Sequence, residues 1–103
     1  VAAYQSDADE RTYAEALSSA LGGAHYVIDS GRNGAPSPAS GDWCNPSARL
    51  LGQDPAAVGD GSNQDARLWI KPPGESDGTC NGGPDAGTFW VERAVEMAFA
   101  SGW

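Results

Sequence analysis

Two stretches rich in glycine and proline, 31–61 and 72–87, most constrain what this chain can fold into. They hold most of the 14 glycines and all 7 prolines of the 103-residue sequence. Because glycine and proline interrupt helices and strands, regular structure is confined to the segments before, between and after these stretches. We therefore expect a few short elements joined by two long loops.

Two of these elements are predicted to be helices. The first begins after Ser6, whose position three residues before Asp9 resembles a capping box, and ends at the pair Gly22 and Gly23. The second is predicted over 89–100, where apolar residues recur at helical spacing. The two predicted apolar stripes consist of Tyr13, Ala16, Leu17, Ala20 and Leu21, and of Trp90, Val91, Ala94, Val95, Met97 and Ala98.

The other two elements are predicted to be strands. Runs of β-branched and aromatic residues at 25–28 and 66–71 indicate buried strands, the second ended by two prolines. The segment 49–51 suits either a short strand or a bend, and 54–65 is expected to be a polar loop. The resulting order of helix, strand, loop, strand, loop and helix indicates an α/β fold with loops leaving the carboxyl ends of both strands.

Length and charge exclude several classes of protein. A complete eight-fold α/β barrel needs about 250 residues, so 103 residues cannot form one. The formal net charge of −8 repels phosphate, which argues against nucleic acid as a partner. No apolar run approaches the roughly 20 residues of a membrane span. The first ten residues also lack the basic start and apolar run of a signal peptide.

The two cysteines, Cys44 and Cys80, each lie in a loop that follows a predicted strand. We interpret them as a disulfide between the two loops; the alternative is a pair of buried free thiols. With a single histidine and no CxxC spacing, the chain has too few ligands for a zinc site, and we expect no metal or cofactor. A disulfide would indicate an oxidising compartment.

Charged side chains cluster where the predicted strands end. If the strands are parallel neighbours, these side chains meet at one edge of the sheet, where α/β proteins bind ligands. Trp43, beside Cys44, would be held over the same edge. Carboxylates, cations and a stacking indole suit a sugar, but the same residues could also form weak surface ion pairs. The charged residues concerned are Asp29, Arg32, Lys71, Glu75 and Asp77.

Three sequence blocks resemble successive motifs of the family-6 glycoside hydrolases, the inverting endoglucanases and cellobiohydrolases that cleave β-1,4-glucan. They are YVIDSGRNG at 26–34, DWCNP at 42–46 and LWIKPPGESDGTC at 68–80. Their order and spacing agree with the family. The resemblance implies that the chain is the C-terminal part of a distorted parallel β/α barrel, and that 1–103 is one incomplete segment of a catalytic domain.

The resemblance also implies roles for individual residues. Asp77 matches the carboxylate proposed as catalytic base, and Arg32 and Lys71 match the cations that pair with it. Trp43, Lys71 and Glu75 match residues that hold a glucosyl unit on the non-reducing side of the cleaved bond. The cysteines, Cys44 and Cys80, match a family disulfide, and Asp29 matches an aspartate for which we expect a structural role.

The family's general acid lies in a part of the domain that precedes the residues matched here. We therefore expect the chain to work with an upstream half of the same domain and to be inactive alone. The short segment between the last motif and the final helix, 79–87, favours an open cleft and hence an endoglucanase. The resemblance further implies a secreted enzyme.

Two other interpretations remain open at this point. A carbohydrate-binding module would hold glucan through Trp43, Lys71 and Glu75 without cleaving it, although such modules are commonly β-sandwiches with many strands. An inactive remnant would retain the motifs without binding glucan at all. Binding of cello-oligosaccharides without cleavage would indicate the module, and failure to bind would indicate the remnant.

Overall fold

A computed structural model describes residues 4–39 and 42–103 of the chain. Within these residues the chain forms an α/β arrangement of two α-helices and three strands, with a single 3₁₀ turn at Cys80–Gly82. The helices are α1 (Asp7–Ala20) and α2 (Val91–Ala100), and the strands are β1 (Tyr26–Asp29), β2 (Ala56–Ala57) and β3 (Gln64–Leu68).

The three strands form one sheet in the order β1-β3-β2. Strands β1 and β3 are parallel, with Asp29 opposite Leu68, so the predicted parallel pairing is confirmed. Strand β2 is antiparallel to β3 and pairs Ala56 with Arg67. Parallel pairing brings the carboxyl ends of β1 and β3 to the same edge, and the segments that carry the candidate site leave from there. A three-stranded sheet does not close a barrel, so the barrel stays a prediction.

The predicted strand 66–71 was placed too late in the chain. Strand β3 ends at Leu68 because the carboxylate of Asp29 accepts from the backbone N–H groups of Ile70 (3.3 Å) and Lys71 (3.1 Å), shortly after the strand. The first predicted strand is confirmed with a shift of one residue, since β1 begins at Tyr26 and His25 precedes it.

Between the two predicted strands, the loop prediction for 54–65 was partly wrong, and 49–51 had been left open between a short strand and a bend. Strand β2 lies inside 54–65, which was expected to be entirely loop. The segment 49–51 forms no strand and lies against the loop after β1, where the N–H of Gly34 donates to the carbonyl of Leu50 at 3.2 Å. A Cβ atom at Gly34 would collide with the carbonyl of Leu51, which explains the glycine at this close approach.

Helix α1 begins as predicted, with the Ser6 hydroxyl accepting from the N–H of Asp9 at 3.1 Å. The predicted apolar stripe is exposed in this chain, since Tyr13, Leu17 and Leu21 are 58%, 47% and 65% exposed. The buried face of the helix lies beside this stripe and consists of Glu10, Ala14 and Ser18. This face turns inward because Ser18 donates its hydroxyl proton to the carbonyl of Ala24 at 2.7 Å and Glu10 lies against Asn33.

Helix α2 begins at Val91, two residues later than predicted, because the segment before it pairs with the site loop. Phe89 forms a β-bridge with Glu75, and the N–H of Trp90 donates to the carbonyl of Gly74 at 2.8 Å. Met97 is buried, whereas Val91 and Val95 of the predicted stripe are exposed. No helix in the described part of the chain is long and apolar enough to cross a membrane.

Candidate active site

Asp29, the last residue of β1, joins the two segments that carry the site. Its carboxylate accepts from the N–H of Gly31 at 3.0 Å on its own segment and from the N–H groups of Ile70 and Lys71 on the segment after β3. All three bonds go to backbone groups. Asp29 therefore sets the spacing between the loops that present Arg32 and Lys71, which is the structural position expected for it.

Asp77 lies at the centre of the charged cluster. Nη1 of Arg32 donates to its Oδ1 at 2.9 Å; the Arg32 side chain is buried and that of Asp77 nearly so, with 4% and 9% of their surfaces exposed. Nζ of Lys71 lies 3.9 Å from the same oxygen and 3.6 Å from the carboxylate of Glu75. The structure thus brings together Arg32, Lys71, Glu75 and Asp77, as the parallel strands predicted.

Tyr4 also belongs to this cluster, and sequence reasoning missed it. Its hydroxyl donates to Oδ2 of Asp77 and accepts from Nη1 of Arg32. The guanidinium of Arg32 lies over the tyrosine ring, 4.3 Å from its centroid. The side chain is buried, with 5% of its surface exposed. Because Tyr4 lies 73 positions before Asp77 and outside the recognised motifs, no local pattern indicated the contact.

Asn45 holds Asp77 from the other side. Its backbone N–H donates to Oδ2 of Asp77 at 3.1 Å, and its side-chain oxygen accepts from the backbone N–H of Asp77 at 3.0 Å. The side-chain NH₂ donates to the carbonyl of Gly78 at 2.8 Å. Asn45 is buried and has a φ of 49°, a left-handed conformation that asparagine tolerates. Its place in the block DWCNP was the available signal.

The predicted disulfide is confirmed: Cys44 and Cys80 are bonded, with Cα atoms 6.1 Å apart. The bond anchors the residue beside Asn45 to the loop that follows Asp77. A crosslink across 36 positions stabilises a fold by about 3–4 kcal/mol in the loop-entropy description. The disulfide therefore helps to keep the Asn45 and Asp77 segments together.

The hydrogen bonds keep Asp77 ionised. Burial alone would raise the pKa of this carboxyl, but hydrogen bonds from Tyr4, Arg32 and the N–H of Asn45 outweigh burial and lower the pKa. The pKa of Tyr4 is raised, first by burial and then by its bond to Asp77, so the phenol stays protonated and continues to donate. The result is a fixed anion between two cations. Such a group can orient a water molecule or stabilise a positive charge.

Trp43 is not joined to this cluster by the contacts of the described residues. Its side chain is 70% exposed, one residue before the disulfide. The aromatic pair found in the described residues is Trp69 with Trp103, so Trp43 does not take part in it. The position of Trp43 over the cluster therefore stays a prediction, although its exposed indole is free to stack on a flat ligand.

Comparison with known proteins agrees with the sequence motifs. A family model described as "Glycosyl hydrolases family 6" matches residues 1–101. Endoglucanase A of Cellulomonas fimi is 55% identical over 100 residues, which cover 97% of this chain and 22% of that protein. A probable exoglucanase of Podospora anserina is 40% identical over 87% of this chain and 23% of that protein.

Solved structures give the same result. The endoglucanase Cel6 from Mycobacterium tuberculosis, in complex with a methyl-cellobiosyl-thio-cellobioside, superposes with a TM-score of 0.86 and 46% identity, over 97% of this chain and 35% of that one. The chain spans about a fifth to a third of the curated relatives it matches. From the family match, the shared motifs and the common fold, we conclude that this chain belongs to glycoside hydrolase family 6.

Proposed function

We propose that this chain forms one side of the active site of an enzyme that hydrolyses internal β-1,4-glucosidic bonds in cellulose or β-glucan with inversion. The observation that carries the proposal is the ionised carboxylate of Asp77, held between Arg32 at 2.9 Å and Lys71 at 3.9 Å. The membership in a glycoside hydrolase family supports cellulose hydrolysis as the reaction.

In an inverting reaction one carboxylic acid protonates the leaving oxygen while a second carboxylate directs water to the opposite face of the sugar. We assign the second role to Asp77. Because its pKa is lowered, Asp77 is a weak proton acceptor, so it acts mainly by orienting water and by stabilising the positive charge that develops on the sugar. The general acid would come from the remainder of a larger, barrel-shaped catalytic domain.

Three residues are proposed to hold the glucosyl unit. Lys71 and Glu75 form an ion pair, and each side chain is about one-third exposed. Both side chains can therefore give up this ion pair and form hydrogen bonds with sugar hydroxyls instead. Trp43 is exposed and offers the flat apolar face on which the axial hydrogens of a glucose ring pack. The sugar ligand in the Mycobacterium tuberculosis structure supports a β-1,4-glucan as the ligand of this chain.

The loop after the site supports cleavage within chains rather than at their ends. Residues 79–87 fold back onto Ser76. The backbone N–H of Ser76 donates to the carbonyl of Thr88 at 2.9 Å, and the carbonyl of Ser76 accepts from the N–H of Gly87 at 2.9 Å. The Ser76 hydroxyl also donates to the carbonyl of Pro84 at 2.8 Å. A loop pinned at this many points does not extend over the Asp77 carboxylate, so the cleft would stay open to a long polymer.

We further propose that the rest of the catalytic domain packs on this chain, and that the isolated chain is inactive. The exposed apolar side chains of α1 and α2, such as Leu17 (47%) and Phe99 (75%), support a covering partner. The disulfide supports an oxidising, extracellular location, because such bonds persist outside the cytosol.

The test uses a grafted enzyme, in which this chain replaces the matching segment of endoglucanase A from Cellulomonas fimi. We expect it to lower the viscosity of soluble cellulose well before reducing ends accumulate, and to release the α-anomer first in proton NMR spectra. The isolated chain should release no sugar. An inactive grafted enzyme beside an active parent, a β-anomer as first product, or cleavage by the isolated chain would contradict the proposal.

A further inference from the structure

We propose that Tyr4 is a positioning residue for the reaction: its hydroxyl fixes Oδ2 of Asp77 and keeps that carboxylate anionic and aimed at the cleft. This inference rests on the proposed function, in which Asp77 directs water. Tyr4 would not touch the substrate but would act through Asp77.

The geometry gives the tyrosine hydroxyl two fixed partners. It donates its proton to Oδ2 of Asp77 and accepts from Nη1 of Arg32, which itself donates to Oδ1 of Asp77. The three side chains therefore close a ring in which one donor faces each carboxylate oxygen. The phenol oxygen accepts a hydrogen bond from Arg32, and the phenol has a single proton. That proton is therefore donated to Asp77.

The Arg32 guanidinium is held in place by the same tyrosine. It lies 4.3 Å from the centroid of the Tyr4 ring and is 4% exposed, so the ring covers one face of the cation and excludes water from it. With the guanidinium fixed in this way, Asp77 cannot rotate without breaking bonds to both partners. Loss of the hydroxyl alone would leave the ring contact intact, but it would remove one donor from Oδ2 of Asp77 and one acceptor from Arg32.

The charged groups around the carboxylate define what Tyr4 adds. Arg32 follows β1 and Lys71 follows β3, and both face Oδ1 of Asp77. Arg93 of α2 contributes a further positive charge near Tyr4, and Glu75 faces Lys71. Oδ2 receives only the Tyr4 hydroxyl and the N–H of Asn45 among the described contacts. Removal of the hydroxyl therefore takes one of two donors from this oxygen, which raises the pKa of Asp77.

The test compares Tyr4→Phe with Tyr13→Phe in the grafted enzyme. Tyr13 is 58% exposed on α1, so the second variant makes the same chemical change away from the site. The measurements are kcat and KM across pH, and the titration of the Asp77 carboxyl carbon by NMR of aspartate-labelled protein. The Asp77 signal is assigned as the one that Asp77→Asn removes.

For Tyr4→Phe we expect kcat to fall about tenfold with KM changed by less than about twofold, the pattern of a contact that matters mainly in the transition state. The acid limb of kcat and the Asp77 titration should both move upward, by about one pH unit. Tyr13→Phe should match the unaltered enzyme in every measurement.

The inference would be overturned if the titration of Asp77 did not move in Tyr4→Phe. This holds if kcat stays the same, and it also holds if kcat falls together with stability, which is the result of a purely structural role. The proposed function fails separately: full turnover by Asp77→Asn would remove Asp77 from the mechanism. If Asp77→Asn loses turnover while Tyr4→Phe keeps it, the role of Asp77 stands and that of Tyr4 does not.

Discussion

Asp77 and Glu10 are both carboxyl groups in protected positions, yet their surroundings move their pKa values in opposite directions. Asp77 receives hydrogen bonds from Tyr4, Arg32 and Asn45, and its pKa is lowered. Glu10 is 1% exposed; burial raises its pKa to about 7, against a hydrogen bond from Asn33 that lowers it. Its Oε1 has no hydrogen-bond partner within the described residues. The supply of donors, not burial alone, decides which carboxyl group is charged at neutral pH.

The raised pKa of Glu10 predicts a pH-dependent stability. The folded chain binds a proton on Glu10 up to about pH 7, whereas the unfolded chain releases it near 4.5, so stability from this group is lost as pH rises between these values. The loss amounts to about 3 kcal/mol. Over the roughly three pH units from pH 5 to pH 8, the unfolding free energy of Glu10→Gln should therefore decrease less than that of the unaltered chain.

Urea titrations at both pH values measure this effect, and Glu96→Gln on the exposed face of α2 is the matched control. The control should keep the full pH dependence of the unaltered chain. An unchanged slope in Glu10→Gln would show that Glu10 is not the group responsible.

The residues of the candidate site differed in how far the sequence could reveal them. Arg32, Lys71 and Asp77 were identified because they lie in motifs that follow strands, and parallel strands bring such segments together. Tyr4 was missed because its contact with Asp77 spans 73 positions and depends on where the whole chain folds back. Asn45 lay in a recognised block, but the left-handed backbone that aims it at Asp77 is not encoded by residue type alone.

At the scale of elements, the end of β1 organises the site. Asp29 ends that strand and captures backbone N–H groups of two segments, which stops β3 at Leu68 and sets the position of Lys71. The prediction placed the end of β3 at Lys71, because the aromatic Trp69 and the β-branched Ile70 before it suit a strand. Hydrophobic pattern alone cannot anticipate that a carboxylate competes with the sheet for N–H groups.

Asp29→Asn tests this role, because the amide keeps the shape but has only one acceptor oxygen. The NH₂ group of the amide would then face a backbone N–H of Lys71, or those of Gly31 and Ile70, and these N–H groups would lose their acceptor. We expect the unfolding free energy to fall by about 1–3 kcal/mol. Asp85→Asn, a change at an exposed position, should alter it by less than about 0.5 kcal/mol. Equal stability of the two variants in urea titrations would refute the role given to Asp29.

The face of α1 shows a second limit of pattern reasoning. The helical period was correct, but the apolar stripe that includes Tyr13 and Leu17 points outward and the face with Glu10 and Ser18 points inward. A hydrophobic stripe predicts that some surface will be covered, without saying which neighbour covers it. In this chain the polar contacts of the inner face with the loops fix the helix orientation.

The whole molecule is extended for its length. Its radius of gyration is 14.2 Å and its extents are 42 × 27 × 22 Å, whereas a compact domain of about 100 residues has a radius near 13 Å. Among the described residues, few apolar side chains are buried: Tyr4, Ala14, Ile28, Ala35 and Met97. Both features accord with a chain that spans about a third of the family structures it matches, and with the proposal that the rest of a catalytic domain covers the exposed helix faces.

The central claim is that the ionised Asp77, held between Arg32 and Lys71, serves the chemical step. Its most direct test is the turnover of Asp77→Asn in the grafted enzyme at saturating soluble cellulose, beside Asp65→Asn at an exposed position. We expect Asp77→Asn to lower kcat by at least about a hundredfold while affinity for cello-oligosaccharides changes little, and Asp65→Asn to keep full turnover. Unchanged turnover in Asp77→Asn would contradict the account.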